Sequence, residues 1–238
     1  MPADLPQFPP GYTVRLCPDD PFTSAIAAAE QGAEDGLLLW QDRADVFSAA
    51  LVLRPLDPIQ ASLTLAYVGQ LGLLDAFASV APPETDAKLD WPDRLLVNGA
   101  CVGGIRVAHG KLIEKQSLSD VPEWLVLGMH VQFEGAADDE QPGRDLEYTN
   151  LFEEGCGEVT AAVLVEAFSR HFLHWLDRWQ EQGFAAIRKR YVEELHDKAL
   201  TVEASGDAWR QTSTGKTWRS LREGLRRPSW VLPMVDNV

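Results

Sequence analysis

Apolar and polar positions along the 238-residue chain switch between two periods, and the switches divide it into elements. The first twelve residues are proline-rich and predict a loop or loosely docked arm. Residues 21–34 (PFTSAIAAAEQGAE) are alanine-rich and predict a helix that starts at Pro21 and stops near Gly36. The short apolar runs at 36–41 and 48–55 predict buried strands, the second ended by Pro55. Ile59, Leu63, Ala66, Tyr67, Gln70, Leu71, Leu74 and Phe77 recur at helical spacing and predict a long helix over 58–80, with Pro58 at its start. Residues 88–97 and 101–108 predict two strands joined by Asn98-Gly99, a pair suited to a hairpin turn in which both central residues need φ > 0. Residues 124–133 predict another buried strand, and 134–147 a polar surface loop. Leu164, Phe168, His171, Phe172, Trp175 and Trp179 form the apolar stripe of a helix over 158–182. Gly183 interrupts it, and a helix resumes over 184–198.

This order predicts an α+β fold, a mixed β-sheet packed with helices. The expected division is a main domain over residues 1–198 and a short extension over 199–238. That extension reads either as a small β subdomain or as a tail wrapping the main domain.

Composition narrows the function classes. Hydrophobic residues at 45% and charged residues at 24% are ordinary globular usage. A chain this long buries enough surface to need no disulfide or metal staple. The net charge of −15 argues against nucleic acid and against an anionic membrane surface, since both attract lysine and arginine. A local exception is the basic set Arg210, Lys216, Arg219, Arg222, Arg226 and Arg227. It suits either the protein's own carboxylates or an acidic partner. Cys17, Cys101 and Cys156 are odd in number and far apart, which fits a reducing compartment. The N-terminus lacks the charged and apolar regions of a secretory signal, and no run approaches 18 apolar residues. A cytoplasmic location without membrane contact is expected.

Several local patterns have a simple structural reading. His171 and His174 share a helix face but lack an obvious third ligand, so no metal site is expected. Ser213–Thr217 contains a Gly-Lys-Thr, but the position where a phosphate loop needs its first glycine is Arg210. Glu153 and Glu154 precede the long helix and read as favourable charges near its N-terminus.

The most informative stretch is Leu89-Asp90-Trp91-Pro92-Asp93-Arg94-Leu95-Leu96-Val97-Asn98-Gly99-Ala100-Cys101-Val102-Gly103-Gly104-Ile105. It resembles the biotin protein ligase pattern K-W-P-N-D-L/I, five residues, then K-x-x-G-I, without a gap. Val126–Gln132 resembles that family's G-x-G-x-N strand, and Trp175–Ile187 its tail helix. The resemblance to the biotin protein ligase and lipoate–protein ligase superfamily covers roughly residues 22–195. It implies a fold like a class II aminoacyl-tRNA synthetase or biotin ligase catalytic domain. It implies ATP and biotin or lipoate as ligands, a small carboxylic acid as substrate and an acyl- or biotin-carrier domain as partner. A homodimer stays open.

The resemblance also marks departures. The family's reaction joins a carboxylate to ATP, so two anions must meet, and the site needs positive charge and backbone N–H donors. Here the Gly/Arg-rich loop is replaced by Gln41-Asp42-Arg43-Ala44-Asp45. The lysine before tryptophan is Asp90, the Asn-Asp pair is Asp93-Arg94, and the catalytic lysine position is Cys101. His130 and Gln132 stand where the family has glycine and asparagine. Arg43, Arg94 and Arg106 are the nearby cations left to replace the lost charge. The expected catalytic residues are Cys101 and Arg94. The expected substrate-binding set is Trp40, Trp91, Pro92, Asp93, Gly103, Gly104, Ile105, Arg106, Gly128, His130 and Gln132. Two readings follow. In one, the protein binds a small carboxylic acid, acyl group or carrier domain with ordinary ATP-dependent ligation lost. In the alternative, it is an active biotinyl, lipoyl or octanoyl ligase or transferase with a rewired site. Cys101 reads either as a thioester nucleophile in that site, with His130 or His109 as base, or as a small buried residue on a strand.

Overall fold

A computed structural model describes residues 5–110, 120–135 and 147–231 of the chain. In chain order it contains β1 (Thr13–Leu16), α1 (Pro21–Glu30), β2 (Leu37–Gln41), β3 (Val46–Leu53), α2 (Ile59–Ser62), α3 (Leu65–Val80), β4 (Ala87–Asp90), β5 (Arg94–Val97), β6 (Ala100–His109) and β7 (Leu125–Gln132). There follow α4 (Ala161–Gln182), α5 (Phe184–Glu194), β8 (Leu200–Val202), β9 (Ala208–Thr212), β10 (Gly215–Arg219) and α6 (Leu221–Gly224). The polar loop expected over 134–147 lies largely outside the described residues.

Seven strands form one mixed sheet in the order β1-β2-β3-β7-β6-β5-β4. Only the β1–β2 pairing is parallel among them. Three further strands form a second sheet, β10-β9-β8. The fold is thus α+β, as the element order predicts.

Strand alternation splits the core into two layers. Leu38, Trp40, Leu51, Leu127 and Met129 face α3 and α4. Leu37, Leu39, Ala50, Val52 and Val126 face Ala25 and Ala29 of α1. The apolar stretch from Ile59 to Val80 is long enough to cross a membrane, but it is two helices, α2 and α3, mostly buried in the first layer. Buried donors tie this layer together. Trp175 Nε1 donates to Asp75 at 2.8 Å, Trp179 Nε1 to Thr64 Oγ1 at 3.0 Å, and the Tyr191 hydroxyl to Gln70 at 3.1 Å.

Two features set up the other face. Arg54 donates to the carbonyls of Ala29 and Ala33 at the end of α1 and to Glu123, which pins the helix over the sheet. At the other end of α1, the Asp20 carboxylate accepts from the Thr23 backbone N–H at 3.0 Å, and Pro21 takes the first turn. The helix start therefore comes to rest at the middle of the sheet, beside β7.

Residues 88–97 differ from the single strand that the pattern predicts. They form a hairpin, β4 and β5, turned by Trp91-Pro92-Asp93. The second turn is as expected, with Asn98 at φ 51° and Gly99 at φ 91°. After α5, β8–β10 form the small second sheet, and Ser229 and Trp230 contact the main sheet.

Candidate functional site

Parts of two of the resembling motifs meet on the α1 face of the sheet, where β5, β6 and β7 lie side by side, while the third, Trp175–Ile187, packs on the opposite face. Gly104 pairs with His130 and with Arg94, and Arg106 pairs with Gly128. Glycine at these positions is a packing requirement. A Cβ on Gly104 would stand 1.9 Å from the Asp93 carbonyl, and one on Gly103 would stand 2.1 Å from the His130 carbonyl. A Cβ on Gly128 would meet Phe22 of α1 at 2.5 Å. The sheet backbone is bare here, so a flat group can lie directly on it.

The walls are charged, and each arginine has a protein partner, although Arg106 Nε is buried without one among the described residues. Arg106 pairs with Asp20, and its guanidinium lies 4.3 Å from the centre of the Phe22 ring. Arg94 donates to the Ser229 carbonyl at 2.6 Å, to Ser229 Oγ at 3.0 Å and to the Tyr148 hydroxyl at 3.2 Å. Arg43 pairs with Asp45, both about half exposed, in the loop between β2 and β3.

Burial sets the protonation states. Desolvation, then the nearby Arg106 charge, lowers the His130 pKa to about 4, so the ring is neutral. Asp93 is only 1% exposed. Desolvation pushes its carboxyl up to about 6, against the opposing hydrogen bonds from Ser229. Desolvation likewise raises Asp90, against the pull of Arg94. Cys101 is buried too, and desolvation carries its thiol up to about 11. Its Sγ donates to the Gly103 carbonyl at 3.5 Å rather than to an imidazole, and His109 lies at the far end of β6. A thiol in this setting is protonated at neutral pH, which opposes nucleophilic use.

The slot so formed holds part of the chain itself. Trp230 lies against the Gly104 backbone and is 8% exposed. Its ring stacks on His130, with centroids 4.8 Å apart and planes 11° apart, and its Nε1 donates to the Ile105 carbonyl at 2.7 Å. Leu96, Cys101 and Tyr148 complete its apolar surround. Ser229 is gripped from both sides. Its N–H donates to the Asp93 carboxylate at 2.7 Å, its hydroxyl donates to the same carboxylate, and its carbonyl accepts from Arg94 and Tyr148.

The structure thus brings together Asp93, Arg94, Cys101, Gly103, Gly104, the Ile105 carbonyl, Arg106, Gly128 and His130 around this slot. Gln132 extends the same strand face, donating to the Asp45 carbonyl at 3.3 Å. Trp40 and Trp91 do not join them. Both point into the α3/α4 layer, where Trp91 Nε1 donates to the Tyr67 hydroxyl at 2.8 Å. The Pro92 ring packs against Gly224 of α6, and its carbonyl accepts from Gln70. Sequence reasoning missed Asp20, Phe22, Tyr148, Ser229 and Trp230. The available signal was Trp230 at the start of a short apolar run after the basic stretch that ends at Arg227. A cavity of about 1340 Å³ opens away from all of these residues, lined by Leu56, Thr64, Trp179 and Phe184 among others.

The model of the biotin/lipoate A/B protein ligase family matches residues 8–193. A biotin–[acetyl-CoA-carboxylase] ligase of Paracoccus denitrificans is 29% identical over 187 residues, which span 75% of this chain and 73% of that protein. A biotin protein ligase-like protein of unknown function from Silicibacter superposes with a TM-score of 0.83 at 29% identity, covering 93% of this chain and 100% of that one. The biotin protein ligase of Aquifex aeolicus superposes with a TM-score of 0.67 at 16% identity, covering 87% of this chain and 95% of that one, a likeness of fold. The family match ends at residue 193, before β8, so Ser229 and Trp230 lie beyond it.

Proposed function

The chain belongs to the biotin/lipoate A/B protein ligase family, and we propose that within it this protein binds a small carboxylic acid or acyl group at the sheet-face slot without ordinary ATP-dependent ligation. The observation that carries the reading is the commitment of the three arginines. Among the described residues Arg43, Arg94 and Arg106 are cations near the slot, and each is already held by a carboxylate or carbonyl of the protein. A triphosphate needs such charge free, because it is held mainly by the Coulomb attraction between nearby cations and its phosphates. Cys101 supplies a neutral thiol where a lysine would supply a positive charge.

One carboxylate requires less than a triphosphate. Arg94 alone, released from Ser229, presents a planar fork that matches a carboxylate in two-point fashion. His130 offers a neutral ring to stack on, and Gly103, Gly104 and Gly128 offer bare backbone. A carrier domain bearing the acyl group is the natural macromolecular partner on this reading.

Thermal unfolding with biotin, lipoate or octanoate, each with and without magnesium ATP, tests the proposal. A ligand at a hundred times its dissociation constant stabilises by about 2.7 kcal/mol. Stabilisation by one of the acids, unchanged by ATP and without pyrophosphate release, is the expected result. Pyrophosphate release with any of the three acids would overturn it and establish the active ligase instead.

A further inference from the structure

We propose that Ser229 and Trp230 form a built-in strap that closes the sheet-face slot, so that the slot opens to a ligand only when Trp230 leaves it. The inference uses the site of the preceding reading, but strap docking itself does not depend on which acid binds there.

Three independent contacts carry it. The Trp230 ring stacks on His130 and rests on the bare backbone of Gly104, the surface that any flat ligand must use. Its Nε1 occupies the Ile105 carbonyl, the hydrogen-bond acceptor at the floor of the slot. Ser229 meanwhile occupies Asp93 and Arg94 together, accepting from the arginine and donating to the carboxylate. Ring, acceptor and charge are therefore all engaged by two consecutive residues. A segment that merely packs on a surface has no need to satisfy a buried carboxylate and an arginine at once. Buried polar groups left without partners are costly, so the open slot has to be refilled by ligand or water. This gives exchange between strap and ligand rather than passive opening. A strap that is closed nine-tenths of the time weakens apparent ligand affinity about tenfold, and one closed 99% of the time about a hundredfold.

Cys101 reports on the strap without any ligand, because Trp230 and Cys101 share one buried cluster. Cys156 is buried elsewhere, beside Thr85, and reports general loosening. The experiment is maleimide labelling of the full chain followed by peptide mass spectrometry, with Trp230→Ala and Trp230→Phe beside the native protein. Biotin binding by calorimetry is measured on all three. Trp230→Ala is expected to label Cys101 about tenfold faster while Cys156 is unchanged, and to bind biotin about tenfold tighter. Trp230→Phe keeps the stack but not the Ile105 bond and is expected to fall between. Should Trp230→Ala fail to fold, both cysteines would label fast, and Trp230→Phe then decides alone. Equal Cys101 labelling in native and variant proteins would overturn the strap, whatever biotin does. Faster Cys101 labelling with no biotin binding in any of the three would uphold the strap and sink biotin as the ligand.

Discussion

At the scale of single residues, the slot contains two titrating groups whose effects oppose. His130 is pushed down to about 4 from an ordinary 6.5, so between those values the unfolded chain binds its proton and the fold does not. Stability from this group falls as pH drops through that range. Asp93 is raised to about 6 from 3.8, so between those values the fold binds a proton that the unfolded chain lacks. Stability from this group rises as pH drops. Each slope reaches about 1.4 kcal/mol per pH unit, so the two nearly cancel from pH 4 to 6. Urea unfolding across that window should show it. His130→Phe should grow more stable on acidification relative to the native protein, and Asp93→Asn less stable. Parallel curves for all three proteins would mean that neither group is held as described. Gly104→Ala is a sharper case. Its Cβ would stand 1.9 Å from the Asp93 carbonyl and 2.7 Å from Trp230 Cδ1, and the first neighbour is backbone that cannot turn aside. The Ile105 N–H that bonds the same carbonyl at 2.8 Å would be strained as well. A loss of about 1–3 kcal/mol in denaturant unfolding is expected, the usual range for overpacking.

At the scale of elements, the close approach of α3 and α4 determines how well the sheet is backed. A Cβ on Gly72 would lie 3.1 Å from the Phe172 Cα, so the helices meet almost backbone to backbone. Gly72→Val should cost about 1–3 kcal/mol by pushing α4 away, read as a lowered melting temperature. An unchanged melting temperature would show that α4 has room to shift. The stripe from Leu164 to Trp179 that predicts α4 is legible because a helix repeats its face every few residues. Its end was legible too, since Gly183 has φ 71°, a conformation in which other residues are strained. Shorter elements were harder to read. Trp91-Pro92-Asp93 read as the interior of a strand because Leu89 and Leu95-Leu96-Val97 continue an apolar pattern on either side of it, across the charged Asp90 and Arg94. The break between α2 and α3 at Leu63–Thr64 was invisible for a like reason, since helical periodicity runs straight through it. β1 was unread because Thr13-Val14-Arg15-Leu16 is too short a run for its polar–apolar alternation to stand out, and its residues are mostly exposed. Several residues of the gap-free motif from Trp91 to Ile105 line the slot. Periodicity could not say which face each residue takes, and Trp40 and Trp91 turned to the other one.

At the scale of the whole molecule, the question is whether residues 199–231 stand apart from the main sheet. The contacts bind them to it. Leu200, Val202, Ala208, Leu221 and Leu225 lie in the same buried cluster as Leu51, Tyr67 and Phe168. The Tyr67 hydroxyl donates to the Gly206 carbonyl while it accepts from Trp91, so one buried oxygen links α3, the β4–β5 turn and the β8–β9 turn. His196 N–H donates to the Leu89 carbonyl at 2.8 Å, fastening the chain just before β8 to the sheet edge. α6 then lies on Pro92, and the chain continues from it to Ser229 and Trp230. The strap is therefore anchored by elements that share the main core, close to the carboxylate and arginine it grips. Sequence reasoning could not reach this. The extension is polar on average, and its few apolar residues gain meaning only from the surface they meet. Leu221→Ala tests the coupling. Its loss should cost about 2–5 kcal/mol, as for other large-to-small core changes. With one shared core, far-UV circular dichroism and tryptophan fluorescence should move together to lower urea and remain coincident. Two separated transitions, with only the fluorescence step displaced, would mean that the extension folds alone. The strap would then be tethered to a body free to drift from the slot.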